Sequence, residues 1–174
     1  TFSAAQWAQA LQQARMAKET VLSKGGPDAH AVSIVSGGSK LIGGTLSSQL
    51  TYDEVVQSVV EGFFPKVAAD AAPMSAPRGG VVELGLPFAK DAAITRHLVA
   101  FLRAHADAGF KALGAPGVGV PRPDAILLNG GVFNSPTLAD ALVEAVSALF
   151  PSSPRVPLLP HDSLDLAVAR GAAY

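Results

Sequence analysis

Asp124–Phe150 reads DAILLNGGVFNSPTLADALVEAVSALF, and the order of its parts decides the fold. Ala125-Ile126-Leu127-Leu128 is an apolar run long enough for one buried strand. Asn129-Gly130-Gly131 breaks it, because glycine takes φ > 0 without a Cβ clash and lets the backbone come close to a ligand. Beyond Asn134-Ser135-Pro136-Thr137, the residues Leu138, Leu142, Val146 and Leu149 recur at helical spacing. Ser135 is placed to cap that helix and Pro136 to open it. Strand, Gly-Gly turn and helix N-terminus together offer backbone N–H groups to a phosphate or a ribose. Glycine turns of this kind also join strands to helices with nothing bound, so the rest of the chain has to decide.

The 174 residues suffice for one domain or two small subdomains with a real core. Charged residues make up 16%, below the roughly 25% usual for a globular domain. A net charge of −1 argues against a broad footprint for nucleic acid or anionic lipid. The absence of cysteine excludes disulfides and thiolate metal sites. No apolar run approaches the ~18 residues a membrane span needs. The chain begins at Thr1 without a basic-plus-apolar leader, and the expectation is a cytoplasmic piece of something longer.

Upstream, Ser3 precedes a helical stripe of Trp7, Leu11, Ala14, Val21 and Leu22, with Lys18 and Glu19 in the last two turns and Gly25-Gly26-Pro27 as the stop. Ala31–Leu46 reads as a β-hairpin around Ser36-Gly37-Gly38-Ser39, with Val32, Ile34, Leu41 and Ile42 on its arms. Thr51-Tyr52-Asp53-Glu54 is a capping box that opens a helix carrying Val55, Val56, Val59, Val60, Phe63 and Phe64, ended by Pro65. Ala68–Gly80 reads as an exposed connection and Val81–Leu84 as a short strand. Ala92–Ala106 is expected as a second amphipathic helix, capped by Asp91, with Ile94, Leu98, Phe101 and Leu102 on one face. Gly109–Pro123 holds several glycines, but no strand precedes them and Pro121 and Pro123 follow, so it reads as a linker rather than a phosphate loop. Arg155–Leu159 is expected as a short edge strand, and a last helix begins at Asp165.

Metal and nucleophile chemistry find little support. His97 and His105, eight apart on the expected helix, are about 80° apart around it and too far along its axis to share a metal. His30 and His161 fall in expected loops, and no His/Asp/Glu set has ligand spacing. A Ser-His-Asp triad would lack a nucleophile elbow. Lys18 reads as a solvated charge, and Asp165 as a cap or first-turn acid.

Three pieces, ARMAKETVLS (Ala14–Ser23), ILLNGGVFNSP (Ile126–Pro136) and DLAVARGAAY (Asp165–Tyr174), occur in the order that resembles the second lobe of DnaK-type heat-shock chaperones, members of the actin-like ATPase superfamily. LGLPFAKDAAITRHLVAFL (Leu84–Leu102) resembles a stretch peculiar to a divergent bacterial branch. The resemblance covers most of the chain apart from about Val67–Leu86 and Ala108–Pro121, which look like insertions. It implies that the Ala14–Ser23 helix lies beside the adenosine. Lys18 would reach the ribose, Gly130 and Gly131 would line the phosphate side, and Asp165 would be an acid near the pocket. Glu19 and Asn134 stand where the family has two arginines that sandwich adenine, Val132 where it has a serine, and Arg15 where it has a glutamate. The arginine clamp, worth roughly 1 kcal/mol or more per residue, is therefore missing.

The expected architecture is α/β, a fragment of an actin-like ATPase domain. Residues 1–66 form an outer helix–hairpin–helix subdomain, 67–123 an inserted connection with one amphipathic helix, and 124–174 a small sheet-and-helix base. The function implied is the adenosine side of an ATP/ADP site, with Mg²⁺ in the parent protein. The phosphate loops, the Mg²⁺-positioning acid and any catalytic residue would lie on a lobe outside this chain. No tightly bound cofactor is expected on the chain alone. Partners implied are that lobe, co-chaperones or client proteins, and a second copy through an unpaired sheet edge. The alternative is a non-catalytic interaction module that keeps the fold without the nucleotide; a sugar-kinase relative is a weaker third reading.

Overall fold

The computed structural model describes residues 2–35, 44–74, 91–114 and 116–173. The hairpin tip with Leu41 and Ile42, and the strand expected at Val81–Leu84, lie outside the described residues. The architecture is mixed helix and sheet.

Helix α1 spans Ala4–Val21 and opens on a reciprocal capping box: the Gln6 N–H donates to Ser3 Oγ at 3.3 Å, and the Ser3 N–H to Gln6 Oε1 at 2.9 Å. It buries Ala17, Val21 and, just past its end, Leu22. The expected stripe fails at its N-terminal half, where Trp7 is 55% and Leu11 68% exposed. The reason lies in the next element. Strand β1 (Ala29–Val35) pairs antiparallel with β2 (Thr45–Thr51), His30 opposite Leu50 and Ile34 opposite Leu46. The outer edge of β1 is met by glutamines of α1. Gln6 Nε2 donates to Val35 O at 3.1 Å, Gln9 Nε2 to Ser33 O at 3.4 Å, and Val35 N–H to Gln9 Oε1 at 3.1 Å. An open strand edge needs such partners, and the helix turns its amides rather than its indole toward it.

Helix α2 (Tyr52–Val56) starts at the expected box, the Glu54 N–H donating to Thr51 Oγ1 and the Thr51 N–H to Glu54 Oε2. It continues as a π-helical turn, Gln57–Glu61. Val55 and Phe64 are buried there, while Phe63 points outward. Helix α3 spans Ile94–Ala104, and its fully buried face is Thr95 and Val99, with Ile94 and Phe101 exposed. Asp91 is not its cap. That carboxylate, 3% exposed, accepts from the Met74 N–H at 2.8 Å, the Ala93 N–H at 2.9 Å and Arg96 Nη1 at 3.0 Å, pinning the chain ahead of the helix.

The chain turns at His105, so His97 and His105 do not share one helix, and α4 (Ala106–Ala112) occupies the start of the expected linker. That segment packs closely: a Cβ on Gly109 would lie 2.6 Å from Pro121, and one on Gly117 would run into the Phe110 ring. Helix α5 (Pro136–Ser147) has Pro136 in its first turn, as expected, and buries Leu138, Leu142 and Val146, each worth roughly 1.5–3 kcal/mol relative to exposure. Helix α6 covers Ala167–Ala172, beginning two residues after Asp165.

The expected strands at Ala125–Leu128 and Arg155–Leu159 reduce to one parallel bridge, Ile126 with Leu158. The Ile126 N–H donates to Pro157 O at 2.9 Å and the Leu159 N–H to Ile126 O at 2.8 Å. Pro157 has no N–H to extend the ladder. One core joins the two ends of the chain: Val21, Leu22, Val55 and Phe64 cluster with Leu128, Leu142, Val156 and Leu164.

Candidate functional site

Where α1 ends, it faces the Gly-Gly turn. Gly130 has φ +91°, the left-handed region open to glycine, and its N–H donates to Leu164 O at 3.3 Å. Gly131–Asn134 then forms a single 3-10 turn that delivers the chain to α5. The Phe133 ring in that turn tilts against Phe64 with centroids 6.3 Å apart, and Tyr52 Oη lies 3.0 Å from Thr137 Oγ1, so the turn contacts the end of the second helical segment and the first turn of α5 contacts α2.

Between α1 and this turn lies a cleft of about 510 Å³, within the range usual for small-molecule sites. Arg15, Lys18, Glu19, Ser23 and Lys24 line one side; Gly131, Val132, Asn134 and Ser135 line the other; Leu22 and Leu138 are its apolar part, and Asp165 completes it. The structure thus brings Lys18, Glu19, Gly131, Asn134 and Asp165 together from three distant stretches. Gly130 is not in the wall; it sets the turn that positions Gly131.

Arg15 Nε donates to Glu19 Oε1 at 2.8 Å, one helical turn apart and well exposed. That hydrogen bond, with the opposite charge, raises the Arg15 pKa and lowers that of Glu19. Exposed pairs of this kind contribute little stability, so the pair's consequence is to occupy both side chains. Lys18 and Lys24 make no ion pair among the described residues. Asn134 Nδ2 donates to both oxygens of Asp165 at 3.1 Å. Asp165 is therefore no helix cap: α6 begins after Leu166 without a side-chain cap. A Cβ on Gly131 would lie 2.7 Å from Asp165 Oδ1, so this glycine makes room for the carboxylate. Ser135 stands at the cap position of α5, but its hydroxyl caps nothing and is buried without a partner among the described residues.

Three cations and two acids give the wall a charge of +1, which suits a ligand with an anionic part. No group of three or more His, Asp or Glu among the described residues could hold a metal ion. Sequence reasoning missed Lys24 and Ser135 as lining residues; Ser135, four residues past the glycine pair, carried a local signal only as a helix cap. No described helix is long and apolar enough to cross a membrane. No family model, curated protein or solved structure matches the chain.

Proposed function

We propose that the chain is a fragment of the nucleotide-binding domain of a DnaK-like molecular chaperone and supplies the adenosine side of an ATP/ADP site. The observation supporting this is the cleft itself, which Lys18 lines together with Gly131 and Asp165, both more than a hundred residues further along the chain, and in which Lys18 and Lys24 make no ion pair among the described residues. The residues present do not fit Mg²⁺: the cleft's acids are Glu19, held by Arg15, and Asp165, held by Asn134. Metal ligation in the parent would fall to groups outside this chain. Phosphoryl transfer needs phosphate positioning from both sides, so the chain alone has no turnover under this reading. Calorimetry of ADP on a protein in which the chain is joined to its other lobe tests it; binding that Lys18→Ala weakens supports the reading, and absence of binding refutes it.

A second reading, a non-catalytic interaction module, is favoured by one specific feature. Glu19 and Asn134, standing where the resemblance expects a cationic clamp, are each committed to a partner within the chain. The same calorimetry separates the two.

A further inference from the structure

The chain has two asparagines, and the structure holds them differently. Asn134 is committed: its Nδ2 donates to both Asp165 oxygens at 3.1 Å, and the residue that follows it, Ser135, is buried. Asn129 is exposed, and no hydrogen bond among the described residues holds its side-chain amide. Its successor is Gly130, at φ +91° with nothing within 4 Å of an added Cβ. The Gly130 N–H lies 3.3 Å from Leu164 O, beyond the roughly 2.7–3.2 Å of a well-made bond. An unrestrained side-chain amide, an unhindered backbone nitrogen next to it and a weak hold on that nitrogen meet at this peptide.

We propose that Asn129–Gly130 is a self-modification site, at which the chain converts Asn129 to isoaspartate and aspartate without a second protein. A base in solution removes the Gly130 N–H proton, and the nitrogen's electron pair attacks Asn129 Cγ. The new N–C bond closes a ring, the Cγ–Nδ2 bond breaks, and the side-chain nitrogen leaves as ammonia with a proton from the solvent. Water then opens the ring at either carbonyl. Hydrolysis at the side-chain carbonyl gives aspartate, and hydrolysis at the main-chain carbonyl gives isoaspartate. No electron is gained or lost, and solvent water is the co-reactant. Gly130 permits the closure, because a Cβ on the attacking residue would crowd the ring. Each event adds one negative charge to a chain whose net charge is −1. The closed ring has no N–H for Leu164 O, and isoaspartate carries an extra main-chain carbon just ahead of the 3-10 turn that places Gly131 and Asn134. The site is a slow, one-way alteration of that turn, independent of what the cleft binds.

The test is incubation of the folded chain in mildly alkaline buffer, then peptide mapping with fragmentation that tells isoaspartate from aspartate. Conversion is expected at Asn129, faster as pH rises, with isoaspartate in excess, and about tenfold or more slower at Asn134. Gly130→Ala should slow it at least about tenfold. Should that variant fold poorly, Asn129→Gln decides, since its longer side chain closes a larger ring and is expected to stay unconverted with Gly130 in place. The isolated isoaspartate form should show shifted amide resonances at Gly131 and Asn134. Equal conversion at the two asparagines, aspartate without isoaspartate, or conversion confined to strong denaturant overturns the proposal. Unmoved Gly131 and Asn134 amides in the isoaspartate form overturn its effect on the turn.

Discussion

Gly130 and Gly131 are neighbours with different physical duties. Gly130 holds φ +91° with nothing within 4 Å of an added Cβ, so its constraint is conformational. Gly131 lies in ordinary backbone, and an added Cβ meets the far end of the Asp165 side chain. Gly130→Ala should therefore cost about 1–2 kcal/mol of fold stability. Gly131→Ala should cost under about 0.5 kcal/mol, because Asp165 is exposed and can swing aside. The second variant should nevertheless lose the Asn134–Asp165 contact, seen as a shift of the Asn134 side-chain amide resonance. Urea denaturation with that resonance as a second readout checks both; equal destabilisation would contradict the division. The need for φ > 0 was legible in the Asn-Gly-Gly sequence, but which glycine carries it depends on the 3-10 turn that follows, and no local signal marked that turn.

Among the helices, the capping boxes were the most legible features, since Ser3 with Gln6 and Thr51 with Glu54 each close a reciprocal pair of bonds within their own first turns. Faces were less so. Periodicity identifies α1 as amphipathic but does not foresee that its glutamines serve the edge of β1, which leaves Trp7 and Leu11 outside. Leu22→Ala should therefore cost about 2–5 kcal/mol, and Trp7→Ala under about 0.5 kcal/mol, by chemical denaturation. A large loss at Trp7 would show that it packs in solution. Asp91 gives α3 a pH dependence. Hydrogen bonds from the Met74 N–H, then the Ala93 N–H, then Arg96 hold its pKa down to about 2. An unfolded aspartate titrates near 3.9, so the stabilisation is complete above that pH and is lost as pH falls from about 4 through about 2. Asp91→Asn should flatten the stability profile in that window and leave its shape unchanged above pH 5; an unaltered acid limb would contradict the assignment.

The chain as one body has a core that ties its two ends together and a surface that leaves pairing capacity unused. Both backbone groups of Ile126 are spent on residues 157–159, whereas those of Leu127 find no backbone partner among the described residues, and the Leu127 side chain is 64% exposed. Beside it, an apolar cavity of about 400 Å³ lies between α3, α5 and this segment. Such an edge is a template for another strand, and we expect concentration-dependent dimers through Ile126–Leu128 and Val156–Leu158. Light scattering behind a sizing column, with Leu127→Lys as the breaking variant, tests it; a monomer at all concentrations would contradict it. The mixed helix-and-sheet class was readable from periodicity, while the base strands were not, because strand pairing is a property of partners rather than of a four-residue run. The cleft was readable only as an ordered set of pieces: nothing local in Lys18, Asn134 or Asp165 announces that they meet. The measurement that tests the central claim most directly is an amide-resolved titration of the chain with ADP. The account predicts shifts confined to the surroundings of Lys18, Gly131, Asn134 and Asp165, saturating weakly, at about 1 mM or above, the range of a ligand held from one side. Silence at those amides, or shifts centred elsewhere on the chain, would contradict it.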